Sequence, residues 1–346
     1  MNDNKDNNKR NLIIKFVFSV VIAFILLNIV FLFYRTLPVH IPNESGATDY
    51  KWEKEALFIK ATEGFSVGFT DNNGYLNSYS PVNNSIGTLI MGSSHMEAIN
   101  VMPNKNATYL LNGLLNKNDY DHYVYSIGIS EHPFLRCTRN IENALIEFSP
   151  EKFVVIETAN INFNEDSINQ VLNNTYPKVS SYNQGIIGKL QKLPFLRMIY
   201  YQIVHGLLEN DSIEETTLSN SDESVDFDSY QKKLNALLLH VSEVADKYGC
   251  KVVIVYHPRI LLNENDECYV ITEKNYLSMF SNLCDDNNII FRNMKESFIA
   301  NYKNEYKLPH GFTNTSVGKG HLNNTGHRLI AEELYSIIAA DQETEE

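Results

Sequence analysis

The sequence predicts an α/β fold, a three-layer α/β/α sandwich around a mainly parallel sheet, preceded by one transmembrane helix. Two features of the chain predict the sandwich. From about residue 86 onward, short runs of branched and aromatic residues alternate with amphipathic helical patterns, and the runs contain almost no polar residue. Strands of that kind are buried on both faces, as in a parallel sheet covered by helices. The 346 residues, 43% of them hydrophobic, suffice for such a core.

The N-terminus predicts an uncleaved signal anchor. Residues 12–34 are apolar except for Lys15, Ser19 and Asn28. The stretch from Phe16 to Tyr34 carries no formal charge and is long enough to span a bilayer. The preceding residues 1–11 include basic side chains and are expected to form a cytoplasmic tail. A cleaved signal peptide is the alternative, but its apolar core is usually shorter and ends at a small-residue cleavage site. We therefore expect a single-pass cell-membrane protein whose remaining chain is extracytoplasmic.

The following residues divide into a stalk with irregular structure at 35–85 and the α/β domain at 86–340. The predicted strands are 87–91, 122–127, 152–158, 251–256 and 288–291. The clearest helix is 229–248, which carries one apolar face and is followed by Gly249. Further helices are expected at 133–147, 269–284 and 325–339.

Residues 162–228 interrupt this alternation and are predicted to be an insertion. It contains a predicted helix around 184–208 and an acidic, polar run at 209–228. Runs of that composition are typical of solvated loops. The last residues, 341–346, are predicted to form a disordered tail.

Charge and cysteine content exclude two classes of function. The net charge of −13 argues against a nucleic-acid partner, because binding phosphates requires a basic surface. The four cysteines match no zinc-binding spacing. In an exported domain they are equally consistent with disulfides and with buried thiols. They are Cys137, Cys250, Cys268 and Cys284.

Polar residues follow the predicted strands, at the edge of an open α/β sheet where ligands bind. Ser93, Ser94 and His95 follow the first strand in "MGSSHMEA" (91–98). The other candidates are Gly128 in "YSIGIS" (125–130), Asn160 in "IETANI" (156–161), His257 in "VYHP", and His321 in "GKGHLNNTGHRLIAEELY" (318–335). A hydroxyl, a base and hydrogen-bond donors for an oxyanion are the parts that a serine hydrolase needs.

These blocks, in this order, resemble the SGNH, or GDSL-like, hydrolase superfamily over about residues 86–340. The resemblance implies a flavodoxin-like sandwich in which Ser94 is the nucleophile and His321 is the general base. It implies oxyanion donors at the Ser94 N–H, the Gly128 N–H and the Asn160 side chain. The anchored, outward-facing plan is also similar to the D-alanyl transfer protein of teichoic acid synthesis.

Two positions depart from the pattern of that superfamily. Ser93 stands where the family has a mainly structural Asp, and Gly318 stands where the Asp of the triad should be. Three explanations stay open for the second departure. His321 is oriented by a backbone carbonyl, or by a carboxylate elsewhere in the chain, or the protein is an inactive relative.

Three further histidines, His95, His257 and His310, are candidates for lining the pocket. Metal ligands on one helix often show H-x-x-x-H spacing, and the sequence contains no such pair. The sequence therefore predicts no metal site and no cofactor.

The resemblance and the topology together predict a membrane-anchored, extracytoplasmic serine esterase or O-acyltransferase of the cell envelope. Its substrates would be acyl esters, mainly acetyl esters, of cell-surface glycans, cleaved or transferred through an acyl-enzyme at Ser94. The expected partners are the acylated glycan, membrane lipid around the N-terminal helix, and a membrane-bound O-acyltransferase. The alternative is a catalytically weak SGNH-fold binding or scaffold protein that assists such a transferase.

Overall fold

The computed structural model describes residues 3–78, 85–118, 120–178, 193–200, 227–270 and 274–345. Its centre is a parallel five-stranded sheet. The strands are β6 (Ile86–Met91), β7 (Tyr123–Ser126), β8 (Phe153–Thr158), β9 (Lys251–Tyr256) and β10 (Ile290–Asn293). Their order in the sheet is β10–β9–β8–β6–β7. The predicted strands are confirmed, with bounds that shift by at most about two residues, the usual uncertainty of strand ends.

Helices cover both faces of this sheet, which confirms the three-layer sandwich. One face carries α4 (Phe134–Phe148), α5 (Glu165–Leu172), α6 (Phe227–Lys247) and α7 (Lys274–Asp286). The other face carries α3 (Ala107–Lys117), α8 (Lys295–Glu305) and α9 (Asn324–Glu345). Successive residues of a strand pack into the hydrophobic cores on opposite faces of the sheet. In β8, Val154 and Ile156 belong to the core on the α4 face, and Val155 belongs to the core on the α3 face.

Helix α6 follows the apolar face that its sequence predicts. Its buried residues are Tyr230, Leu234, Leu237, Leu238, Val241, Ser242, Val244 and Ala245. Gly249, with φ +72°, lies just beyond its end. Helix α9 differs from expectation, because it continues to Glu345 through most of the predicted disordered tail. An ion pair between Lys251 and Asp341 ties this last part to the start of β9.

The N-terminal helix α1 spans Asp3–Leu32. Its 23-residue stretch Arg10–Leu32 contains no buried residue and is long and apolar enough to cross a membrane. A signal sequence near an N-terminus would meet the same criterion.

Short strands follow α1 in the segment expected to be a stalk. They are β1 (Arg35–Thr36), β2 (His40–Pro42), β3 (Tyr50–Trp52), β4 (Leu57–Lys60) and β5 (Ser66–Phe69). Strands β1, β4 and β5 form one antiparallel sheet, and β2 pairs with β3. Strands of two to four residues are too short to show a hydrophobic period, which explains why the sequence pattern did not reveal them.

This N-terminal layer is packed onto the domain. Trp52 and Phe58 share a buried cluster with Ile99 and Ile129, which lie beyond the carboxyl ends of β6 and β7. The Trp52 Nε1–H donates a hydrogen bond of 2.8 Å to Glu97 Oε1. Residues of the predicted stalk therefore lie at the sheet edge where the candidate site residues are found.

Only part of the predicted insertion lies within the described residues. Of the helix predicted around 184–208, the structure describes 193–200, which is helical from residue 194. Of the acidic run 209–228, only residues 227 and 228 are described, at the start of α6. The four cysteines are free thiols, and all of them except Cys268 are buried.

Candidate active site

The nucleophile block forms a sharp turn between β6 and the short helix α2 (Ser94–Glu97). Ser93 caps this helix, and its Oγ accepts a hydrogen bond from the His95 N–H at 3.3 Å. A side chain at Gly92 would meet the Glu157 carboxylate, since a Cβ there would lie 2.7 Å from Oε2. The turn places Ser94 at the first position of α2, where helical N–H groups have no acceptor within the helix.

Ser94 and His321, predicted as nucleophile and base, lie within hydrogen-bonding distance. Ser94 Oγ is 2.9 Å from His321 Nε2, and His321 Nδ1 is 2.6 Å from Oε2 of Glu63. The other carboxylate oxygen of Glu63 accepts the His321 backbone N–H at 2.9 Å. Because a carboxylate only accepts, Nδ1 carries the proton and Nε2 is left to accept the Ser94 hydroxyl. The arrangement has the geometry of a Ser–His–acid triad.

Glu63 is the carboxylate that the sequence failed to identify. It lies on the hairpin between β4 and β5, 258 residues before His321 along the chain. Position 318, where the family pattern expects the acid, is a glycine with φ +82° whose N–H donates to His310 O. Gly320 makes room for the acid instead, because a Cβ there would lie 2.4 Å from Glu63 Oε1.

The side chain of Asn314 holds the Glu63 hairpin in place. Its Oδ1 accepts the Gly64 N–H at 2.9 Å, and its Nδ2 donates to Ala61 O at 3.1 Å and to Gly64 O at 2.9 Å. Gly64 has φ +68°, a conformation that suits glycine. The hairpin is therefore fixed at both ends of the turn that carries the acid.

The environment of Glu63 favours its ionised form. Partial burial raises the pKa of this carboxyl, but its hydrogen bonds with His321 and the attraction of the imidazole outweigh burial and leave the pKa below its ordinary value. The side chain of Glu63 is 19% exposed and that of His321 is 29% exposed. Solvent and substrate can therefore reach the triad.

A second carboxylate, that of Glu157 near the end of β8, holds the nucleophile turn in place through hydrogen bonds to Ser93. Its Oε2 accepts the Ser93 N–H at 2.7 Å and the Ser93 hydroxyl at 2.9 Å, and its Oε1 is hydrogen-bonded to His257 Nε2. Burial raises the pKa of Glu157, but the charge of His257 and its hydrogen bond lower it to about 2. Glu157 is thus an ionised, buried group that fixes Ser93, and the contacts described for Ser93 do not include His321.

The three other candidate histidines form a cluster next to His321. One nitrogen of each of His95, His257 and His310 lies within 4.8 Å of the other two, a spacing that can hold a metal ion. Hydrogen bonds account for much of this cluster. His257 Nδ1 is hydrogen-bonded to His310 Nε2 at 3.3 Å. His95 Nδ1 accepts the Leu322 N–H at 3.1 Å, which occupies the lone pair that a neutral His95 would offer to a metal.

Two histidines of this cluster, His95 and His310, are kept neutral by their surroundings. Burial, followed by repulsion from His257, lowers the pKa of both His95 and His310 well below the ordinary value. His257 and His310 are buried, and His95 is partly exposed. Only His95 of the three is therefore placed to meet a ligand from solvent, and its ring centre is 5.3 Å from that of His321.

The other predicted oxyanion donors are engaged in local hydrogen bonds. The Gly128 N–H donates to Ser126 Oγ at 3.2 Å, and the exposed Asn160 side chain donates to Asn162 O at 2.9 Å. Within the described part of the chain, no hydrogen bond joins either residue to Ser94. A Cβ on Gly128 would lie 2.4 Å from the carbonyl carbon of Met96, so glycine is required there by the approach of α2. The oxyanion role of both residues stays a prediction.

No protein-family model and no curated protein sequence matches this chain. Solved structures similar to it include an acetyl xylan esterase, AlAXEase, with 18% identity and a TM-score of 0.40 over 72% of this chain and 99% of that one. They also include the psychrotrophic esterase EstA from Pseudoalteromonas sp., with 15% identity and a TM-score of 0.38 over 74% and 99% of the two chains. A GDSL-like lipase from Bacteroides thetaiotaomicron has 11% identity and a TM-score of 0.35 over 73% and 88%.

Proposed function

We propose that this chain is an SGNH-type serine hydrolase or acyltransferase in which Ser94 is the nucleophile, His321 the general base and Glu63 the residue that orients the base. The continuous hydrogen-bonded chain from Ser94 Oγ through His321 to Glu63 is the observation that carries the proposal. It also accounts for Gly318, because the acid that is missing there is supplied from the β4–β5 hairpin.

The geometry supports an acyl-enzyme mechanism. The Ser94 oxygen attacks the carbonyl carbon of an ester, and its proton passes to His321 Nε2. The Glu63 carboxylate stabilises the imidazolium that forms. His321 then returns the proton to the leaving alkoxide, which leaves an ester between the acyl group and Ser94. Water or a sugar hydroxyl, deprotonated by His321, attacks this ester in the second step and releases Ser94.

The finer assignment concerns the substrate and its location. The apolar span of α1 and the solvent-accessible triad favour an enzyme that is anchored in the cell membrane with its site on the extracytoplasmic side. We assign it acyl esters, mainly acetyl esters, of cell-surface glycans, on the resemblance of its motifs and topology to envelope acyl-transfer proteins. A membrane-bound O-acyltransferase is the partner that this assignment implies.

One observation favours a second function, that of a catalytically weak binding or scaffold protein for such a transferase. Gly128 and Asn160, the expected oxyanion donors, are engaged in hydrogen bonds of their own. Removing one oxyanion donor from a serine hydrolase slows catalysis by about 10²–10³-fold. A site with the Ser94 N–H as its only free donor would bind esters and turn them over slowly.

Labelling with a fluorophosphonate separates the two functions. The full chain in detergent is treated with the probe and, separately, assayed for p-nitrophenyl acetate hydrolysis. We expect the wild type to be labelled and Ser94→Ala and His321→Ala to be unlabelled. Ser93→Ala is the matched control, and it should keep its label because Ser93 does not contact the base. A wild-type protein that neither takes the label nor hydrolyses the ester would refute the hydrolase and leave the scaffold function.

A further inference from the structure

The hairpin that carries Glu63 lies at the level where the chain leaves the apolar span. The Ala61 N–H donates a hydrogen bond of 2.9 Å to the carbonyl oxygen of Tyr34, two residues after the end of α1. Arg35 pairs with Lys60 in the antiparallel β1–β4 ladder. Because β1 leads away from α1, its antiparallel partner β4 runs back toward α1. The turn at 61–65 therefore points toward the end of the span.

The strand after this turn presents an apolar face to solvent. Phe65, Val67 and Phe69 alternate along β5 and its approach, and they are 57%, 37% and 63% exposed. Leu57, which pairs with Phe69 across the ladder, is 37% exposed. We call these four residues the β5 apolar face. Clustered exposed aromatic residues are uncommon on the surface of soluble domains and mark a binding surface.

The register of the β1–β4–β5 sheet fixes how far the β5 apolar face lies from the end of α1. Thr36 pairs with Ile59, and Ile59 pairs with Val67, so Val67 is level with a residue four positions beyond α1. Neighbouring strands lie about 4.8 Å apart, which places β5 about 10 Å to the side of β1. The headgroup region begins where the hydrocarbon core ends, at the end of α1. The β5 apolar face is thus beside the exit of the span.

A second, distant part of the chain also lies against the span. The ring centre of Phe195 is 5.9 Å from that of Phe24 and 5.7 Å from that of Phe31. The Phe195 N–H donates to Asn28 Oδ1 at 3.2 Å. All three partners belong to Arg10–Leu32, the stretch able to cross a membrane. This part of the insertion therefore packs against the apolar stretch of α1.

We propose that the β5 apolar face lies in the lipid headgroup region of the bilayer that α1 crosses, so that the Ser94 site opens at the membrane surface. Aromatic side chains are favoured at this depth, where their rings leave water. The proposal rests on the proposed function and adds a substrate class to it. The enzyme would act on esters presented at the membrane surface in preference to the same esters free in solution.

Environment-sensitive labels test the position of the face directly. The full chain is placed in phosphatidylcholine–phosphatidylglycerol vesicles with an NBD label on Phe65→Cys or Phe69→Cys, in a Cys268→Ser background that removes the partly exposed native thiol. Ile146→Cys is the matched control, because Ile146 is 58% exposed and lies near the end of α4, at the other edge of the sheet. We expect blue-shifted emission, quenched by nitroxide lipids, at the first two positions and neither effect at the control. Emission at positions 65 and 69 that matches the control would overturn the proposal.

A paired activity assay separates failure of this inference from failure of the proposed function. The Phe69→Ser variant and an Ile146→Ser control are compared on water-soluble p-nitrophenyl acetate and on an acetyl ester of a lipid embedded in the same vesicles. We expect Phe69→Ser to hydrolyse the soluble ester like the control but to lose several-fold activity on the embedded one. Equal effects on both esters would refute the membrane-surface site. If the wild type hydrolyses neither ester, the proposed function is wrong, and the NBD labels alone decide where the face lies.

Discussion

Replacing Glu63 with Gln removes the charge that orients His321 while preserving the size of the side chain. In the wild type, both carboxylate oxygens accept from His321, one from Nδ1–H at 2.6 Å and one from the backbone N–H at 2.9 Å. A Gln amide can keep one acceptor but presents NH₂ at the other position. If the NH₂ faces Nδ1, that nitrogen becomes an acceptor and the proton moves to Nε2, where it blocks transfer from Ser94. If the carbonyl faces Nδ1, the imidazolium formed during catalysis loses its counter-charge.

The expected magnitude follows from the role of the acid in serine hydrolases. Replacing a triad carboxylate by its amide lowers kcat by roughly 10⁴-fold while the site keeps its shape. Glu63 is 19% exposed, so water partly replaces the lost charge, and we expect a loss of about 10³-fold in kcat/KM, or about 4 kcal/mol of transition-state stabilisation. The loss in kcat/KM is measured by p-nitrophenyl acetate hydrolysis with the full chain.

A matched variant and a pH profile make this expectation decisive. Glu53→Gln changes an exposed carboxylate of the same N-terminal layer and should leave kcat/KM unchanged. Because the Glu63 pKa is lowered in the folded state, the carboxylate contributes stability above its unfolded pKa that is lost as pH falls through the folded value. Glu63→Gln should therefore show less acid-induced loss of stability than the wild type. A kcat/KM within about threefold of the wild type, less than 1 kcal/mol, would refute Glu63 as the orienting acid.

Three other substitutions test the supports of the site. Glu157→Gln should lower the free energy of unfolding in urea by about 2–3 kcal/mol, because this buried carboxylate is hydrogen-bonded to both Ser93 and His257. An unchanged urea midpoint would contradict this expectation. Burial raises the pKa of Glu97, so its contribution to stability is lost as pH rises from the ordinary carboxyl pKa through the raised folded value. Glu97→Gln should therefore gain stability relative to the wild type over that pH range, and a pH-independent difference would exclude this origin. Gly320→Ala should lower kcat/KM, because the new Cβ displaces Glu63. The control Gly113→Ala, whose Cβ meets nothing within 4 Å, should leave kcat/KM unchanged. Equal kcat/KM values for the two variants would mean that displacing Glu63 does not affect catalysis.

The sequence predicted those parts of the fold in which local pattern and burial coincide. Strand β8 is buried along its whole length, and its six residues contain the apolar run that identified it. Helix α6 buries the same residues that its 3.6-residue period selects. Ser94 and His321 were found because each adjoins such an element, the end of a strand and the start of the last helix.

Glu63 was missed because nothing local distinguishes it. It lies in a turn between two four-residue strands, and its function depends on a partner 258 residues away. Glycines at 64 and 320 are needed for its approach, but a glycine in a loop carries no sign of which side chain it admits. The role of Glu157 was missed for the same reason. Glu157 lies within an apolar strand, and nothing in the sequence of that strand shows that this side chain holds the turn at Ser93.

The position of Glu63 also changes the relation between the N-terminal apolar helix and the α/β domain. A serine hydrolase whose three catalytic groups lie within one α/β domain does not depend on how it is tethered. Here the Glu63 hairpin is hydrogen-bonded to Tyr34 and paired through Lys60 with Arg35, the first residues after the apolar helix. We therefore expect a displacement of that helix relative to the sheet to shift Glu63, the proposed orienting residue of His321. Because triad geometry is sensitive to shifts of about 1 Å, β1 is part of the support of the active site and not a spacer.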